Sequence, residues 1–136
     1  MLVSANSKEI IVNKDVMVHC GNAPKMERVI DLTVSLAARD EAAAKTHLRD
    51  DFTWTEVGMG RIADFSSLGA ALAARPEVSS IAIENALSHG NGAMCEGWFE
   101  RIDGRAFHFC SVAKFVSTAK NAAVKALHMY LIEKRG

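Results

Sequence analysis

Three residues with proton-handling side chains sit in the second half of the chain: Glu96, Ser111 and His128. A carboxylate, a hydroxyl and an imidazole in one row can hold and pass a proton, with the carboxylate tuning the imidazole. The same trio also suggests a nucleophilic triad, but a serine in mid-strand lacks the exposed, strained turn that hydrolases use. The bland alternative is that Glu96 satisfies His128 or a backbone group, because buried polar groups need partners. The row requires that all three share one face of a sheet. Asp103-Gly104 is a two-residue hairpin signal. It predicts Trp98 opposite Phe109, Glu96 opposite Ser111 and Met94 opposite Ala113. Carried across the next turn with Ser111 opposite His128, the same register puts Phe109 beside Tyr130.

Alternation then yields two surfaces. The first carries Trp98, Phe107, Phe109, Phe115 and Tyr130 with the polar row, and is assigned to the helix-covered side as a pocket. Trp54, Trp98, Phe109 and Tyr130 are its expected ligand-gripping walls; plain core is the alternative. The second carries Cys95, Phe99, Cys110, Val112, Leu127, Met129 and Leu131, rimmed by Lys114, Lys125 and Glu133. An apolar face rimmed by charge predicts a homodimer through the outer sheet surface. A one-residue slip would exchange the two sets.

The other reactive types point to less. Cys20 lies just before an expected helix N-terminus, beside His19 and Gly21, where the macrodipole lowers a thiol pKa; a small buried residue is the ordinary alternative. The histidines and cysteines lack the paired spacing of zinc motifs, and His108-x-Cys110 supplies two ligands at most, so no metal is expected. No cofactor motif is present.

The elements that position these residues are readable from periodicity. Lys8–Cys20 is β-prone, an arm over residues 1–22 ahead of a single domain over 23–136. Asn22 is an expected N-cap with Pro24 in the first turn of a helix to about Ala38, whose apolar stripe is Met26, Val29, Ile30, Thr33, Leu36 and Ala37. Asp40 caps a second helix, Glu41–Leu48, and Phe52–Val57 alternates as a strand. Asp64 is expected to cap a third helix, Phe65–Ala74, stopped by Pro76. Four strands follow: Val78–Ser88, Ala93–Ile102, Arg105–Val116 and Ala123–Glu133. The fold class is α+β, with three N-terminal helices packed on a curved, mainly antiparallel sheet.

Composition sets limits on function. The chain has 136 residues, one domain's worth. Sixteen basic residues balance sixteen acidic ones, which argues against a nucleic-acid partner and a polybasic membrane surface, and permits self-association. No apolar run approaches the ~20 residues of a membrane span. Three cysteines and no evident signal peptide suggest reduced thiols in a cytoplasm.

Three segments carry a family resemblance: Asp50-Asp51-Phe52-Thr53-Trp54-Thr55-Glu56, Ser111-Val112-Ala113-Lys114-Phe115, and Ala123-Val124-Lys125-Ala126-Leu127-His128-Met129-Tyr130. The layout from Ala23 to Glu133 resembles the NTF2-like superfamily, the cone-shaped fold of ketosteroid isomerase and the SnoaL-like polyketide cyclases. The arm around His19-Cys20-Gly21 resembles one found in some uncharacterised bacterial members. The resemblance implies a general base at Glu56, near the pocket mouth. It places the isomerase's oxyanion-holding tyrosine at about Leu32 and its protonated aspartic acid at Ser111, so the steroid machinery is not reproduced.

Three functions follow as expectations. One is proton transfer of isomerase or cyclase type on an apolar carbonyl-containing molecule, with Glu56, Glu96, Ser111 and His128 as candidates. The second is a pocket that binds a small apolar molecule without catalysis. The third is a dimeric interaction module with a filled core. Whether the chain is an enzyme is left open.

Overall fold

The computed structural model describes residues 12–18, 21 and 23–135. Cys20, His19 and Asn22 lie outside the described residues, as does most of the arm. Its described part forms β1 (Asn13–Val16). There follow α1 (Pro24–Ala37), α2 (Glu41–Lys45), β2 (Leu48–Glu56), β3 (Gly60–Asp64) and α3 (Leu68–Ala74). The chain ends in β4 (Val78–His89), β5 (Gly92–Arg101), β6 (Ala106–Phe115) and β7 (Val124–Glu133). One curved seven-stranded sheet has the order β1-β4-β5-β6-β7-β2-β3. It is antiparallel except at β1/β4 and β7/β2. The α+β class is as the sequence implies, but the three helices do not form one N-terminal group: β2 and β3 come between α2 and α3.

Helix α1 supplies the lid of the core. Val29, Ile30, Leu32, Thr33 and Leu36 are buried, most of them on the stripe read from the sequence. Its cap position is Ala23, without a side-chain cap bond, and Pro24 stands in the first turn. Lys25, expected off that face, is also buried: its Nζ donates to Thr118 O (3.0 Å) and Ala119 O (2.6 Å), tying the helix start to the β6–β7 connection. The helix ends in a Schellman motif, with Arg39 N–H bonded to Leu36 O and Asp40 N–H to Ser35 O. Asp40 then caps α2, accepting from Ala43 N–H at 3.0 Å. Asp64 does not cap α3 directly; its carboxylate accepts from Ser66 and Ser67, and Ser67 is the cap position. β3 has no counterpart in the sequence reading.

Two hairpins depart from the expected register, each by one residue. The β5–β6 loop has three residues, Ile102-Asp103-Gly104, closed by Arg101 N–H to Arg105 O. A two-residue type I′ turn needs positive φ at both central positions. Gly104 has it (φ 88°) and Asp103 does not. The loop therefore takes an extra residue with Gly104 in the left-handed position. Cys95 rather than Glu96 now faces Ser111, and Glu96 faces Cys110. Between β6 and β7 the expected register holds at the turn, where Phe115 pairs with Val124. A bulge between Lys114 and Phe115 then shifts it, so Ser111 faces Met129 and Val112 faces His128.

Candidate functional site

The shifted registers leave the faces of β6 as read from the sequence and reverse those of β5 and β7. Phe107, Phe109, Ser111 and Phe115 point toward the helices. They are joined there by Cys95, Phe99, Leu127, Met129 and Leu131, which the sequence reading had put on a dimer face. Glu96, Trp98, His128 and Tyr130 lie on the opposite, outer face with Cys110 and Val112. The Glu96–Ser111–His128 row is therefore not assembled. Glu96 accepts instead from Asn85 Nδ2 at 2.8 Å. Burial and the nearby Glu96 charge raise the Cys110 thiol pKa, the reverse of activation. Trp98 and Tyr130 do not wall the pocket; Trp98 lies under the Lys134 ammonium, 5.8 Å from its ring centroid. Trp54 and Phe109 remain on the inner side.

Between α1, the end of α3 and the sheet is a cavity of about 80 Å³. Leu36, Ile81, Phe99, Phe109, Met129 and Leu131 form its apolar walls. Phe99 stacks on Phe107 with ring centroids 5.3 Å apart. Sequence alternation missed three lining residues of another kind: Arg39, Arg75 and Arg101. They come from the end of α1, the end of α3 and the end of β5, so no local pattern groups them. Their side chains are 30%, 28% and 18% exposed, which marks them as the mouth.

Each arginine has one acidic partner beyond the lining. Arg39 pairs with Glu77 at 3.4 Å, Arg75 with Glu56 at 3.6 Å, and Arg101 with the exposed Asp103. The Arg75 guanidinium lies 5.0 Å from the Trp54 ring centroid. Burial lowers its pKa, and the Glu56 charge works against that. Glu56 is thus at the pocket rim, two residues along β2 from Trp54 and opposite the cavity residue Met129. Among the described residues, four buried polar atoms have no hydrogen-bond partner: Arg39 Nε, Trp54 Nε1, Arg101 Nε and Ser111 Oγ. Three of the four belong to side chains that line the cavity. A buried donor without a partner costs about 1–3 kcal/mol, so this cluster is a feature a ligand would relieve. No group of His, Cys, Asp or Glu among the described residues is arranged to hold a metal ion.

The arrangement of three helices with a curved seven-stranded sheet is shared with solved structures. An NTF2-like protein of unknown function from Burkholderia xenovorans LB400 superposes with a TM-score of 0.70 at 19% identity, over 87% of this chain and 90% of that one. The fold is that of the NTF2-like proteins. A putative SnoaL-like polyketide cyclase from Shewanella denitrificans OS-217 gives a TM-score of 0.65 at 11% identity, covering 82% and 92% of the two chains. A hypothetical protein from Catenulispora acidiphila DSM 44928, with a ketosteroid isomerase-like fold and in complex with trimethylamine, gives 0.61 at 15%, covering 76% and 84%. No family model and no curated protein matches the chain. No helix among the described residues is long and apolar enough to cross a membrane.

Proposed function

We propose that the cavity binds a small apolar molecule through a hydrogen-bond-acceptor head of carbonyl type, and that Glu56 serves there as a proton-transfer base. The observation that carries the reading is the pairing of apolar walls with buried, unpartnered N–H donors on Trp54, Arg39 and Arg101. Such donors polarise a carbonyl oxygen and stabilise the charge that develops on it when an α-proton is removed. The carboxylate at the rim, released from Arg75, supplies the base. Ser111 faces inward on β6, while Glu96 and His128 take no part. The trimethylamine held by the Catenulispora protein is an unsuitable guide here, since a mouth of three arginines disfavours a cationic ligand.

The test is exchange of the α-protons of acetophenone in D2O, followed by proton NMR. Acceleration over buffer that falls about 100-fold or more in Glu56→Gln supports the base. Binding without exchange would leave a non-catalytic ligand-binding protein, the second of the three readings.

A homodimer through the outer sheet face belongs to the same proposal, on the corrected set of residues: Val112, Tyr130 and Ile132 are 41%, 46% and 70% exposed. Sedimentation should show a dimer that Tyr130→Lys dissociates; a monomeric parent chain would end that part. The free thiol of Cys110 fits a reducing, cytoplasmic setting.

A further inference from the structure

Resting on the ligand-binding reading above, we infer that the head group is an anion: the cavity takes a carboxylate on a small apolar body. Five lining side chains can hydrogen-bond, and four of them offer only N–H groups: Arg39, Trp54, Arg75 and Arg101. The fifth, Thr33, has its hydroxyl committed to Val29 O at 2.7 Å. The acids that balance the arginines, Glu56 among them, stand outside the lining, so no carboxylate is among the lining side chains. Three buried N–H groups there lack partners. A carboxylate offers about four acceptor sites against the two lone pairs of a ketone oxygen, so it can satisfy more of them. The guanidinium fork matches a carboxylate and is less heavily hydrated than an ammonium, which suits a half-buried mouth.

Arg39 adds an independent observation. It ends α1 with φ 59°, the left-handed region where glycine is the unstrained choice. Its guanidinium bonds Arg75 O, Ala73 O (3.3 Å) and Glu77. A side chain is thus carried at a position that favours none, and it is braced across the mouth beside Arg75. Size limits the body. A cavity of about 80 Å³ is near half the ~150 Å³ that accepts benzene. It encloses a short branched alkyl group, or one edge of a single ring whose remainder stays in the open mouth, with the head at the arginines.

The probes are benzoate and its neutral counterpart acetophenone, titrated into the full chain and followed by calorimetry and by the Trp54 indole N–H resonance. Trp98, on the outer face, is the internal control. The expected result is that benzoate shifts the Trp54 signal and binds at least about ten-fold more tightly than acetophenone at low salt. That advantage should shrink to about two-fold or less in Arg101→Gln and in Arg75→Gln; if one variant fails to fold, the other decides. Acetophenone binding as tightly as benzoate overturns the anion and leaves the ligand-binding reading standing. An advantage unchanged in both folded variants also overturns it. If neither probe moves the Trp54 resonance, both the inference and the ligand-binding reading fall.

Discussion

Replacing Ser111 by alanine should make the ligand-free protein more stable. Ser111 is fully buried between Cys95 and Met129 on the helix side of the sheet, and its Oγ has no partner. A desolvated, unpartnered hydroxyl costs about 1–3 kcal/mol. Deleting it returns that amount and leaves an oxygen-sized void. At about 24 cal/mol per Å³, a void of ~15 Å³ costs about 0.4 kcal/mol. The net expectation is a gain of about 1–2 kcal/mol. For a chain of this size that raises the melting temperature by roughly 3–5 °C per kcal/mol. Urea unfolding at neutral pH checks it: the midpoint should rise with the slope unchanged, since a changed slope reports an altered denatured state. Ser111→Val, which adds volume, should not give the same gain, because overfilling a packed core strains it. A loss of about 1 kcal/mol or more in Ser111→Ala would refute the reasoning. It would mean that the hydroxyl is satisfied in the folded chain.

Gly97→Ala should be destabilised by more than about 3 kcal/mol, because a Cβ there would lie 1.8 Å from Ala82 O, beside the β4 bulge that bends the sheet; an unchanged urea midpoint would show that β4 yields freely. His47 has its pKa lowered, chiefly by burial and then by the Arg28 charge, with Asp31 opposing. Its unfolded form therefore binds a proton first as pH falls. Stability is full above about pH 6.5 and declines as pH drops toward the lowered folded value, the direction that linkage requires when the unfolded state holds more protons. Urea midpoints at pH 7.5 and 5.5 should differ less in His47→Gln than in the parent chain; equal differences would remove His47 as the cause.

How the chain presents its residues was legible wherever a local rule sets the answer. The stripe Val29, Ile30, Thr33 and Leu36 faces the core because a 3.6-residue repeat leaves it no other way to bury. Asp40 caps α2 through its own carboxylate. The faces of β6 follow from alternation alone. The faces of β5 and β7 were not legible, although both strands were. A strand's register against its neighbour hangs on a single residue. Asp103 declines a positive φ and lengthens one loop, and a bulge at Lys114/Phe115 shifts the other pairing. Those two steps carry Trp98, Tyr130, Glu96 and His128 outside and bring Phe99, Met129 and Leu131 in. The three arginines were hidden for a different reason. Arg39, Arg75 and Arg101 are far apart in the chain and ordinary in their local settings. Only the packing of α1 and α3 on the curved sheet brings their guanidinium groups to one opening, since proximity between distant segments is a property of tertiary structure and leaves no periodic mark on the sequence.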